Sequence, residues 1–167
     1  MASKLTPADL WKLEEYAKER PAFRQKVLDH KQRRTLALGP NMTLVFEDRL
    51  TVQYQVQEML RIERIFEEAG IQDELASYNP LIPSGRNWIA TCLIEFPDVD
   101  ERKRRLAEMR EVERTIWTQA AGAGRVLAIA NEDLERSNEE KTSAVHFLRF
   151  ELDAPTIAAL KIGRAHV

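Results

Sequence analysis

Two side chains in this sequence stand where acid–base chemistry would need them. On a helix turning 100° per residue, Val52, Val56, Met59, Ile62 and Phe66 share one face, and Glu63 falls in the middle of it. A carboxylate on an apolar face must find a partner or take up a proton. Glu63 therefore reads either as a general acid/base or ligand-gripping group, or as half of a buried ion pair with an arginine such as Arg149. His146 is the second such residue. It alternates with Ala144, Leu148, Phe150 and Leu152 onto one face of a strand. An imidazole there is a candidate base, or a core histidine satisfied by its neighbours.

The opposite face of the same helix carries Tyr54, Gln57, Glu58, Arg61 and Arg64. Glu58 and Arg61 are three apart and can pair locally. That face reads as solvated, or as a grip for an anion or a partner helix. If Glu63 and His146 work together, Arg61 or Arg149 would orient an anionic group. The basic stretch Arg20–Arg34 has little aromatic interleaving and is expected to be a solvated helix face, with His30 favouring a helix C-terminus. Cys92 alternates with apolar residues and is expected to be an inert core thiol.

Other chemistries lack their signatures. There is no phosphate-binding glycine loop, no His-Glu-x-x-His and no Cys-x-x-Cys. Gly122-Ala123-Gly124 lacks the third glycine of a dinucleotide fingerprint and precedes a strand. Asp98-Val99-Asp100 is better explained by helix capping than by a metal. A single cysteine excludes an internal disulfide and a Cys-rich iron–sulfur or metal site. We therefore expect no metal and no cofactor held by the chain. With 167 residues, 44% apolar and 31% charged, the chain is long enough to bury a core, and its formal net charge of −2 gives no pull toward nucleic acid or anionic membrane. No stretch approaches a membrane span and none resembles a signal peptide, so a cytoplasmic location is expected. The last six residues, Ile162 to Val167, match one reading frame of a sequencing adapter. A single α+β domain over 1–161 is expected, followed by a non-native tail, so that Arg164 and His166 carry no function.

The elements that must position these groups follow from turn chemistry and periodicity. Thr6, Pro7 and Asp9 open a helix expected to break at Pro21, with a second helix after it. Short strands near 35–38 and 41–46 flank Gly39-Pro40-Asn41 as a hairpin. Asp48 caps a long helix, about 49–69, that Gly70 should end in the left-handed conformation. A short helix at 73–78 precedes the loop Asn79–Gly85. A strand at 88–96 leads through Asp98 and Glu101 into a helix whose apolar side is Leu106, Met109, Val112, Ile116 and Trp117. Strands at 126–130 and 144–152 follow, separated by the charged connection 131–141, and a helix begins near Pro155. The expected product is a mostly antiparallel five-strand sheet packed with helices.

Several segments together resemble one uncharacterised prokaryotic family, classed as a domain of unknown function. They are Leu38-Gly39-Pro40, Phe46-Glu47-Asp48-Arg49, Gln55 to Arg61, Tyr78-Asn79-Pro80-Leu81-Ile82-Pro83 and Glu139 to Phe150. Members of that family are often encoded beside rubrerythrin and an iron–sulfur protein like a heterodisulfide reductase subunit. The resemblance implies a place near redox or oxidative-stress chemistry, with a redox protein as partner. Two functions are thus expected to compete. One is an accessory or interaction protein of a cytoplasmic redox system. The other is a small enzyme or ligand-binding domain using Glu63 and His146 with an arginine.

Overall fold

The protein is described here by a computed structural model covering residues 3–161 and the backbone of 165–166. The chain forms two compact units. Unit 1 comprises the chain up to Arg34 together with Glu47–Gly85; unit 2 comprises Thr35–Phe46 and the chain from Arg86 onward. Among the described residues, five α-helices and an antiparallel five-strand sheet, with a second small sheet, make the fold α+β.

In unit 1, Thr6 and Asp9 close only a single 3-10 turn, Pro7–Asp9. Helix α1, Leu13–Gln32, then runs straight through Pro21 where a break was expected. A proline inside a helix forfeits one backbone hydrogen bond. Here Tyr16 on one side of it and Phe23 and Val27 on the other are buried in one cluster with Trp11, Leu50 and Tyr54. That shared burial outweighs the lost bond, as tertiary packing commonly does for helices. Helix α2, Arg49–Glu63, is capped by Asp48, whose Oδ1 accepts from the Leu50 and Thr51 amides at 3.0 Å.

The expected long helix stops early. Arg64 takes the left-handed conformation (φ 54°, ψ 47°) and ends α2 six residues before Gly70. Gly70 lies instead within helix α3, Glu68–Tyr78. A Cβ there would stand 2.7 Å from Ile65 Cγ2, so the glycine supplies smallness, not a stop. The expected apolar face is not buried along its length: Ile62, in the last turn of α2, and Phe66, beyond its end, are 61% and 66% exposed. The buried seam is Val52, Val56 and Leu60, packed with Leu5, Leu75 and Ile82.

In unit 2, strands β1 (Thr35–Ala37) and β2 (Met42–Phe46) form the expected hairpin, turning at Gly39 with φ 71°. Strand β3 is Asn87–Ile94, and helix α4 is Val99–Glu108, capped by Asp98 on the Glu101 amide at 2.7 Å. The helix does not reach Ile116 and Trp117. Glu111 is left-handed (φ 63°), Val112–Arg114 is one 3-10 turn, and Trp117 opens strand β4, Trp117–Ala120. The single strand expected at 126–130 is divided between two sheets: β5 (Arg125–Leu127) pairs with β4, and β6 (Ile129–Ala130) pairs with β7 (Val145–Glu151). The larger sheet has the order β1-β2-β3-β7-β6. Helix α5 is Ala154–Lys161. Of the expected foreign tail, only the backbone of strand β8, Ala165–His166, is described, pairing with β4; the rest of 162–167 and its side chains lie outside the described residues.

The core of unit 2 gathers Leu44, Ala90, Cys92, Ile94, Leu148 and Phe150. In it Cys92 stands opposite Leu44 on one side and His146 on the other. Among the described residues no helix is long and apolar enough to cross a membrane.

Candidate functional site

The α2 face expected to be solvated is partly covered by α1. Gln57 is fully buried; its Oε1 accepts from the Trp11 amide at 2.7 Å and its Nε2 donates to the Trp11 carbonyl at 3.3 Å. Glu58 accepts from Tyr16 Oη at 2.7 Å, from Arg20 Nε at 2.7 Å and Nη2 at 2.9 Å, and from Arg61 Nη2 at 3.2 Å. The Arg20 bonds, more than the burial that opposes them, hold its carboxyl near 2. Burial and the same carboxylate push the Tyr16 phenol far above its usual range. Tyr54 packs on Phe23 with ring centroids 5.8 Å apart, and the Lys31 ammonium lies 5.9 Å above its ring. Arg20 and Arg61 are both engaged by Glu58, whereas Arg64, the other arginine of that face, is exposed at the end of α2.

Glu63, read as a carboxylate on an apolar face, is exposed, because α2 ends at that residue. Arg149, its expected partner, holds Glu132 through Nε and Nη2 at 2.8 Å each and also contacts Glu151. His30, at the end of α1, meets Asp48 Oδ2 at 2.6 Å, with Arg34 Nη1 3.4 Å from the same oxygen. Burial raises the Asp48 carboxyl, but the hydrogen bonds from Thr51 and His30, together with the charges of Arg34 and His30, hold it below its usual range.

His146 is fully buried in unit 2 with both ring nitrogens engaged. Asn131 Oδ1 accepts from the Phe147 amide at 3.1 Å, which fixes its amide group so that Nδ2 donates to His146 Nδ1 at 2.9 Å. The ring proton is thereby assigned to Nε2, which donates to the Ser143 carbonyl at 2.8 Å and lies 3.0 Å from Thr142 Oγ1. Burial lowers the affinity of His146 for a second proton, against the opposing pull of Glu113. The ring is neutral and pinned, so it is a poor base.

The network runs on from His146. Thr142 Oγ1 is 2.6 Å from Ser137 Oγ, and Ser137 Oγ donates to Glu113 Oε1 at 2.8 Å. Since the one hydroxyl proton of Ser137 goes to Glu113, Thr142 donates to Ser137, and both hydroxyl protons point toward Glu113. Glu113 is only 2% exposed, and its Oε2 has no hydrogen-bonding partner among the described residues. Neither has Arg136 Nε, whose guanidinium pairs with Asp133 and stacks 4.8 Å over the Phe147 ring. Glu113, Arg136, Ser137 and Asn131 line one cavity of about 330 Å³, with Ala130 and Leu134 as its apolar wall.

His146 and Glu113 thus share one hydrogen-bond chain, and Arg136 lines the cavity beside Glu113; the sequence singles out neither Glu113 nor Arg136. Glu113 was findable: it lies four residues after Met109 and three before Ile116, inside the apolar series 106, 109, 112, 116. Arg136 carried no such signal amid the charged run 131–141. Cys92 is buried, and burial, with a smaller push from Glu113, raises its thiol to about 11. Among the described residues no group of three or more His, Cys, Asp or Glu is placed to hold a metal ion.

Comparison with known proteins bears on the whole chain. A family model described as "Protein of unknown function (DUF3501)" matches residues 4–167. A crystal structure of a novel protein of unknown function from Burkholderia pseudomallei K96243 is similar at 46% identity and a TM-score of 0.91, over 97% of this chain and 84% of the other. No curated protein matches.

Proposed function

Because this chain belongs to the DUF3501 family, whose description names no activity, we propose from its own geometry that it works by binding: it is an accessory protein that holds a small polar ligand in the unit 2 cavity. The observation that carries this is the state of Glu113. One of its oxygens is fixed by Ser137 at the end of a hydrogen-bond chain anchored on His146, and the other is left without a protein partner in the wall of a cavity. A buried polar atom without a partner costs about 1–3 kcal/mol, and more when charged, so a ligand that supplies the missing donor recovers that cost on binding. The cavity lies at the small end of the range for ligand sites.

The system served is, in this reading, the cytoplasmic redox or oxidative-stress chemistry implied by the family resemblance, with a rubrerythrin-like or iron–sulfur protein as partner. The buried Cys92, with its thiol near 11, is a poor redox group, so electron transfer falls to that partner. An enzyme that uses His146 as its base gains no support, since both ring nitrogens are engaged. Native mass spectrometry on the full chain, purified without air, tests the proposal. A small-molecule mass that is retained by the wild type and lost in Glu113→Gln supports it. A bare chain that takes up nothing from a panel of small polar compounds sinks it.

A further inference from the structure

We infer that the ligand of this cavity presents a neutral carboxamide or urea group, whose N–H donates to Glu113 Oε2 while its carbonyl accepts from Arg136 Nε. The inference rests on the binding function proposed above and names the chemistry of the same site. Two side chains that line one cavity each carry a buried polar atom without a partner among the described residues, and the two atoms are of opposite kinds: one accepts and one donates. They are not in contact with each other, although both side chains are charged groups that pair readily.

A ligand of single character satisfies only half of this arrangement. An anion would take the Arg136 N–H but bring its charge toward the Glu113 carboxylate and leave Oε2 bare. A cation would take Oε2 but crowd the Arg136 guanidinium and leave Nε–H bare. A planar amide or urea carries donor and acceptor side by side and adds no charge to a site where Arg136 already pairs with Asp133.

The remaining wall limits the body that carries the amide. At roughly 30 Å³ per water, about 330 Å³ corresponds to on the order of ten non-hydrogen atoms. Ala130 and Leu134, the latter 53% exposed, offer that body an apolar surface. Both polar atoms are shielded from bulk solvent, so side chains of the lining must move for the ligand to reach them.

Titration of the isotopically labelled full chain, followed by NMR, distinguishes the possibilities. Acetamide, urea, acetate, acetamidinium and inorganic phosphate are the probes. Acetamide and urea are expected to shift the Asn131, Ser137 and Arg136 Nε–H resonances saturably, whereas the ionic probes are not. Arg136→Met keeps a side chain of similar reach over Phe147 but removes the donor; it should weaken acetamide binding at least tenfold. Glu113→Gln should weaken it as well. Saturable binding of acetate, acetamidinium or phosphate at these residues, with no response to acetamide or urea, would overturn the amide assignment and leave the ligand-binding function standing. Silence from every probe removes both. A crystal structure in which Arg136 Nε bonds directly to Glu113 Oε2 would also overturn the assignment.

Discussion

Arg20 holds Glu58 through a two-pronged contact, Nε to Oε1 at 2.7 Å and Nη2 to Oε2 at 2.9 Å, and Tyr16 adds a third bond from the buried side. The carboxyl is lowered from 4.5 to about 2 in the folded protein, with the Arg20 bonds as the largest cause. A depressed carboxyl stabilises the fold above its ordinary value, and that stabilisation fades as pH falls from there through the folded value. Glu58→Gln should therefore cost about 2 kcal/mol at pH 7, the scale of a hydrogen bond to a charged group. The deficit should shrink between pH 4.5 and pH 2. Urea unfolding at pH 7 and near pH 3 checks this; a deficit independent of pH would show that the ion pair contributes nothing.

His146 titrates in the opposite sense to a histidine that gains an acidic partner. Its folded value is lowered by burial from 6.5. The unfolded chain takes up the proton first, so acidification below about 6.5 destabilises the fold, by at most about 1.4 kcal/mol per pH unit for one proton. In His146→Gln that part of the acid slope should vanish. Stability measured from pH 7 to pH 5 in the two proteins gives the difference directly, and identical slopes would contradict a neutral, buried ring.

Gly70→Ala should destabilise α3 even though alanine is the better helix former by about 1 kcal/mol. The added methyl would meet Ile65 Cγ2 at 2.7 Å. Ile65→Ala in the same chain should relieve the clash, so that alanine at position 70 becomes favourable. Thermal midpoints of the four proteins in this cycle decide it. No coupling between the two positions would mean that the approach of Ile65 to Gly70 imposes no constraint.

Arg64→Gly should stabilise unit 1 by about 1 kcal/mol, because Arg64 holds a left-handed conformation that glycine adopts without strain. A higher thermal midpoint with unchanged helix content is the expected result. A lower midpoint would mean that the arginine side chain earns its place by contacts.

Much of the fold was legible because local chemistry and burial agreed. Asp48 and Asp98 cap the helices they were expected to cap, and the alternation along β3 and β7 places Cys92 and His146 in the core. The failures came where packing overruled a local signal. Pro21 was read as a break, yet aromatic burial on both sides carries α1 through it. Gly70 was read as a stop, yet the stop is an arginine, which carries no such signature. That one error moved Glu63 from an expected interior to the surface. The reverse error hid Glu113, which shares the stretch Arg110 to Arg114 with three other charged residues and is buried only because the 3-10 turn after Glu111 carries it inward. Which of several adjacent charges turns inward is settled by backbone geometry that composition does not record.

The route of the chain between its two units has a consequence during synthesis. The β1–β2 hairpin leaves the ribosome before residues 47–85, but the other edge of β2 finds its partner in β3, whose paired residues lie beyond Arg86. Unit 1 has all its sequence once Gly85 has emerged, so vectorial synthesis lets it close first, while β2 waits with one edge unsatisfied. A nascent chain stalled at that point would display that edge to chaperones and to its neighbours on the same polysome.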